Sequence, residues 1–280
     1  VPWAILLDPT SACNLHCKGC WAAEYGNKLN LTYDEIDSII RQGKEMGTYF
    51  YIYTGGEPLV RKKDLIKLCE VHSDAIFMCF TNGTLIDEQF AADMMRVKNF
   101  VPVISVEGYE ESMDSRRGDG TYQRAVKAMN LLKSHRLPFG NSICYTSVNI
   151  KDVSTEAYVD QLVDWGSYFV WYFHYMPVGK DAVPELLPSP EQREHMYHPS
   201  SCWTSRTTVS MWAAASLAAG VTSTSTPMAT ATPACSFTTP TPTSGKRPCW
   251  RPCAPPCSWP TTTGSPSTTT TCVPAPCWRI

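Results

Sequence analysis

Residues 1–198 alternate between short apolar runs and longer polar stretches with a helical repeat. The apolar runs are Ala4–Leu7, Tyr49–Tyr53, Ala75–Phe80, Val101–Val106, Ser142–Val148 and Phe169–Met176. They are rich in β-branched and aromatic residues and nearly continuous in apolar character, as suits parallel strands buried on both faces. Helices are predicted at about 33–46, 61–72, 87–97, 121–135 and 154–165. Thr32 with Glu35 three residues on forms a capping-box pattern for the first, and Ile36, Ile39 and Ile40 give it an apolar face. The helix opening at Thr121 repeats this with Ala125, Met129 and Leu132. A sixth starts at Ser189-Pro190-Glu191 and is cut short near Tyr197. Strict βα alternation implies a (β/α) barrel or a doubly wound sheet. No glycine-rich dinucleotide fingerprint follows the first strand.

Cysteines follow it instead. Cys13, Cys17 and Cys20 stand at a CxxxCxxC spacing just after Asp8-Pro9-Thr10. Thiolates so spaced hold soft metals, chiefly zinc or an iron–sulfur cluster. A closed structural zinc site takes four ligands, while three leave a position open for chemistry. A zinc knuckle with a distant fourth ligand, or three unrelated buried thiols, fits the same spacing. His16 between them is read as a solvated loop residue. Cys69, Cys79 and Cys144 fall within a helix and strands and read as small buried apolar residues.

The charge and the lack of long apolar runs exclude some partners. A net charge of −2 gives no bulk electrostatic attraction to nucleic acid. No apolar run reaches membrane-spanning length, and no basic-then-apolar leader opens the chain. Val1 lies almost at the first strand, as in a fragment that lacks its natural start. With 280 residues and no leader, the 13 cysteines suggest metal ligation in a reducing cytoplasm rather than disulfides.

A barrel places its chemistry at the C-terminal ends of its strands. The unusual residues gather there. Thr54-Gly55-Gly56-Glu57-Pro58 follows the second strand, with glycines that let backbone approach a ligand closely. Thr81-Asn82-Gly83 follows the third and reads mainly as a turn. Ser105-Val106-Glu107-Gly108 ends the fourth, with Arg117 twelve residues after Ser105. Asn149 follows the fifth, and Tyr175-Met176-Pro177-Val178-Gly179 ends the sixth.

Together these motifs resemble the radical S-adenosylmethionine (SAM) superfamily over roughly residues 3–198. The resemblance implies a partial (β/α)6 barrel with a 4Fe-4S cluster on Cys13, Cys17 and Cys20 that keeps one iron free. It implies SAM held by the Gly55, Gly56, Glu57, Pro58 motif, whose backbone and Glu receive the methionyl ammonium. Ser105 and Arg117 match the residues that hold the SAM carboxylate and ribose. Asn149 matches a polar residue near the ribose, and Met176 the apolar residue packed on the adenine. An external electron donor of flavodoxin or ferredoxin type would reduce the cluster, and SAM cleavage would give methionine and a 5′-deoxyadenosyl radical. The sequence names neither substrate nor catalytic residue. There are departures. Glu107 stands where the family usually has Asp, and Arg116 beside Arg117 leaves the register open by one. Gly19 stands where an aromatic often precedes the third cysteine, so Trp21 or Met176 would have to substitute. A non-catalytic zinc- or iron-binding (β/α) module is the alternative.

Composition breaks near Pro199. Residues 199–280 contain no Asp, Glu, Asn, Gln, His or Tyr, so all 26 acidic residues precede them. Leu217 is the only Leu, and no apolar periodicity persists. Such a stretch cannot offset an ordering cost of about 1–2 kcal/mol per residue. The domain reading is therefore a core over 1–198 and a disordered or non-native tail over 199–280. Cys249, Cys253 and Cys257 mimic a cluster motif amid prolines and are not read as one. The favoured residues are those with C or G as second codon base, the pattern of a GC-rich gene translated out of frame. Joining the last base of each codon to the next two forces Val from Met211-Trp212 and Gly from Trp212-Ala213. With free third bases chosen, the hidden text resembles the cysteine-bearing extension of SPASM-like radical SAM proteins, which binds auxiliary clusters. On that reading the auxiliary cluster is lost with the tail, and peptide or cofactor maturation is hinted at.

Overall fold

The computed structural model describes residues 2–22, 26, 28–179 and 181–197, and the backbone of 210–211. All lie within one compact unit, Val1–Phe237. Except for that short backbone piece, the readings placed on 199–280 fall outside the described residues.

Six parallel strands follow in sequence: β1 Ile5–Leu7, β2 Phe50–Tyr53, β3 Ile76–Thr81, β4 Phe100–Val106, β5 Gly140–Tyr145 and β6 Val170–His174. Each pairs with its sequence neighbour, in the order 1-2-3-4-5-6. A doubly wound sheet reverses its strand order at a switch point. This one never reverses, so its winding is that of an open, partial (β/α)6 barrel. Two tail residues add to it: β7, Ser210–Met211, runs parallel to β6 with Trp171 opposite Ser210 and Tyr172 opposite Met211. The reading of 199–280 did not anticipate this strand. Its pairing uses backbone groups, which any sequence supplies.

The helices are α1 Tyr33–Glu45, α2 Lys62–Val71, α3 Glu88–Val97, α4 Glu110–Arg117, α5 Thr121–Ser134, α6 Ile150–Val153, α7 Glu156–Trp165 and α8 Pro190–Tyr197. The predicted capping box closes α1: Glu35 N donates to Thr32 Oγ1 at 3.2 Å, and Thr32 N donates to the Glu35 carboxylate at 2.7 Å. Two helices, α4 and α6, were not predicted. The fifth strand begins and ends earlier than its apolar run. Asn141 is fully buried within it and donates to Ile104 O at 3.1 Å, so a polar residue hides in the strand. Asn149 Oδ1 accepts from Thr146 N at 2.7 Å, which turns the chain and leaves Val148 exposed.

The sheet is apolar on both faces. The larger cluster packs the helices on it and includes Ile36, Leu65, Phe90, Met129 and Leu162. A smaller one joins Ala4, Ile52, Met78 and Val103, with Leu6, Phe80 and Trp171 against it, and lines the inner face. Burying each such aliphatic chain contributes about 1.5–3 kcal/mol. Among the described residues no helix is long and apolar enough to cross a membrane.

Candidate active site at the strand ends

The cysteine loop lies just past β1, and four elements pin it. From β2, Gly56 N donates to Thr10 O at 3.0 Å and Glu57 N to Ala12 O at 2.8 Å. Gly55 has φ of +104°, and a Cβ there would stand 2.7 Å from Thr10 O. A Cβ on Gly56 would collide with the carbonyls of Ser11 and Ala12. The glycines thus serve a purpose the sequence did not reveal. They let the loop after β2 lie against the backbone that leads into Cys13. Gly56→Ala is expected to cost about 1–3 kcal/mol by overpacking and to loosen the cysteine loop, read as a lowered urea midpoint with faster loss of bound iron to a chelator.

From β3, Asn82 Nδ2 donates to Asn14 Oδ1 at 2.8 Å, and Asn14 Nδ2 donates to Thr84 Oγ1 at 2.8 Å. From α4, the Arg116 carbonyl accepts from Lys18 N at 2.8 Å. From β6, Tyr175 packs on Gly19. A Cβ on Gly19 would overlap the phenol, with Tyr175 Cε2 at 2.9 Å. This explains the missing aromatic. The ring stands over the loop from the far strand, and Gly19 leaves room for it. Of the residues expected to substitute, Trp21 is 45 % exposed and Met176 is half-buried just past β6. Gly19→Phe should therefore cost as much as Tyr175→Ala or more, and combining the two should recover part of the loss. Urea melts of the three variants check this.

Glu57, expected to receive an ammonium, faces protein donors in this structure. It is 1 % exposed. Its Oε1 accepts from Leu59 N at 2.9 Å and Thr81 Oγ1 at 2.7 Å, and its Oε2 from Asn82 N at 2.7 Å. Burial pushes its carboxyl up, against the pull of those three donors. The side chain ties the β2 loop to the end of β3, with buried Pro58 opening the short turn beside it.

Both candidate arginines converge on Glu107, which is fully buried. Arg117 Nε donates to Glu107 Oε1 at 2.8 Å, with Nη2 on the same oxygen, and Arg116 Nη1 joins them. One oxygen of the Glu107 carboxylate thus serves two guanidinium groups. Glu107 Oε2 and Arg116 Nε are buried without hydrogen-bond partners among the described residues. Two nitrogens of the Arg117 fork are thus committed to the protein. Arg116 also lies over the Tyr175 ring, 6.0 Å from its centre.

Asn149 is likewise engaged. Its Nδ2 donates to Glu107 O at 3.0 Å and Cys144 O at 3.2 Å, and its Oδ1 takes both Thr146 donors. It still lines a cleft of about 170 Å³ with Lys18, Ser112, Arg116 and Leu186. Ser105 Oγ lies 3.1 Å from Ser142 Oγ, its register partner on β5. A larger cavity of about 400 Å³, lined by Lys133, Arg136 and Tyr168, sits at the opposite end of the strands, away from these residues.

Cys13, Cys17 and Cys20 are free and half-buried, and His16 is exposed. Burial pushes the Cys13 thiol up, opposed by the Leu15 N–H. Burial also raises Cys17, and the Arg117 and Arg116 charges oppose it. Three soft donors beside two fixed cations fit an anionic thiolate-held cluster. Among the described residues no three His, Cys, Asp or Glu side chains are grouped to share one metal ion.

Sequence reasoning gave no role to Asn14 or Asp8, and it read Tyr175 only as the end of the aromatic run Trp165 to Tyr175, part core and part pocket lining. For Tyr175 a signal existed: Gly19 asked for an aromatic from elsewhere.

The model of the Radical SAM superfamily matches residues 7–160. AdoMet-dependent heme synthase of Methanosarcina barkeri is 26 % identical over 204 residues, 69 % of this chain and 56 % of that protein. GTP 3′,8-cyclase of Geobacter sulfurreducens is 33 % identical over 120 residues, 40 % of this chain and 34 % of that one. The crystal structure of Streptococcus suis SuiB bound to S-adenosylmethionine superposes with a TM-score of 0.63 at 18 % identity, over 75 % of this chain and 50 % of that one. Among the first curated relatives it matches, the chain spans from 32 % to 68 % of their length. The family match covers more than half of this chain and includes all three cysteines and the glycine pair, so the chain belongs to the radical SAM superfamily.

Proposed function

We propose that this chain binds a 4Fe-4S cluster on Cys13, Cys17 and Cys20 and binds SAM at the strand-end rim, for radical chemistry on a substrate. The observation that carries this reading is the loop holding the three thiols, pinned by β2, β3, α4 and β6 at one end of the barrel. When bound, the cluster supplies the electron that cleaves SAM reductively. The protein's part is positioning and exclusion of water. Arg116 and Arg117 lower the cost of gathering thiolates near Cys17. The Gly55-Gly56 turn presents backbone at the mouth, with Glu57 holding that turn rather than meeting the ligand. Ser105 and the free edge of the Arg117 fork face the carboxylate and ribose, and Met176 the adenine. Asn149 shapes the wall behind them. Reduction comes from an external flavodoxin- or ferredoxin-type donor in a reducing compartment.

Peptide or cofactor maturation is the substrate class this reading favours. Relatives include a heme synthase, and SuiB has been solved with its precursor peptide SuiA. The core is residues 1–198, and the tail is proposed to be an out-of-frame translation that has lost any auxiliary cluster. Metal analysis after anaerobic reconstitution tests the central part. About four irons with matching sulfide per chain are expected. One zinc per chain with no sulfide would support the non-catalytic module instead.

A further inference from the structure

Asp8 stands just past β1, two residues after Leu6, which packs on the inner-face cluster. Strand alternation puts Asp8 on the same face as Leu6. The register pairs Leu7 with Tyr53 and Tyr53 with Cys79. Carried one residue further, it sets Asp8 beside Thr54 and Thr54 beside Phe80. Phe80 meets Trp171 and Phe173 edge-on, with ring centres 5.3 and 5.7 Å away. At the residue after Thr54, the Asp8 Cγ lies 3.4 Å from where a Gly55 Cβ would be.

Asp8 is half-buried and forms no hydrogen bond or ion pair with any described residue. Burial with no opposing cation pushes its carboxyl up to about 6. The other two acids of this rim are committed: Glu57 to three donors and Glu107 to two arginines. A carboxylate withdrawn from water without a counterion is destabilising unless a ligand supplies one. Aromatic faces attract cations and bury an alkyl stem.

We propose that Asp8, with the Phe80, Trp171 and Phe173 rings, forms a subsite for an alkylammonium group at the barrel mouth. Two sources share that chemistry: the α-ammonium of SAM, in which case the subsite rests on the SAM-binding reading above, and a primary amine on the substrate, in which case it does not.

Equilibrium dialysis on the full chain, anaerobically reconstituted, separates the sources. Wild type and Asp8→Asn are titrated with SAM and with its analogue carrying hydroxyl in place of the amine. In parallel, hexylammonium and hexanol are titrated by calorimetry. If SAM is the source, Asp8→Asn binds SAM about tenfold more weakly and the analogue unchanged. If a substrate amine is the source, Asp8→Asn binds SAM within twofold of wild type. The wild-type preference for hexylammonium over hexanol, about tenfold, then disappears. The proposal is overturned if both preferences, SAM over its analogue and amine over alcohol, are the same in Asp8→Asn as in wild type. Asp8→Asn keeps the side chain's shape and removes an uncompensated charge, so it is expected to melt in urea at or above the wild-type midpoint. Should it melt lower, Asp8→Ser, which also lacks the charge, carries the same comparison. A wild type that binds neither cluster nor SAM would count against the radical SAM reading alone, because the amine arm still tests Asp8.

Discussion

Glu107→Ala is expected to destabilise the fold by about 3–5 kcal/mol, because it removes one partner of a buried charge cluster. The carboxylate is fully buried and carries both Arg116 and Arg117, each with 13 % of its side chain exposed. Without it, two guanidinium groups remain side by side with no anion. The loss should spread. Arg116 also supplies the carbonyl that holds Lys18 N and the cation over Tyr175, so the cysteine loop loosens with it. Arg117→Ala should cost clearly less, since Glu107 keeps Arg116. Urea melts of the two variants measure the difference. Equal costs would show that Glu107 does not organise the pair.

The second large effect concerns iron. Replacing Cys13, Cys17 or Cys20 with Ala is expected to abolish cluster formation, whereas Cys69→Ala should retain it. The three loop thiols are half-buried and sit at one strand end. Cys69 is fully buried in α2 within the larger apolar cluster, and burial raises its thiol far above the ordinary range. A thiol in that setting packs as a small apolar group. Iron and sulfide analysis of the four variants, with the reconstituted wild type as reference, reads the effect. Full iron in any of the loop variants would remove that cysteine from the ligand set.

The fold was largely legible because most strands lie within mainly apolar runs and each major helix has a clear face. The sequence could not show α4, whose EESMDSRR text has only Met113 to bury. It is held by tertiary bonds instead, Ser112 to Asp152 and the two arginines to Glu107. The end of β5 was misplaced because its β-favouring text runs on to Val148, whereas Thr146 and Asn149 in fact close a turn there. At the site, residue types and positions were legible, but their partners were not. Nothing local tells whether Glu57 points outward to a ligand or inward to Thr81 and Asn82. That choice is made by donors 24 and 25 residues away. Tyr175 and Gly19 read separately, as part of a strand-end run and as a departure, and only their contact makes them one feature.

The most direct measurement is 5′-deoxyadenosine released from SAM by the reconstituted, chemically reduced protein. A radical SAM enzyme will release it in proportion to bound iron and will stop when Cys17 is replaced by Ala. A stable protein that carries stoichiometric zinc, or that carries iron yet releases no 5′-deoxyadenosine above the Cys17→Ala background, would contradict the assignment.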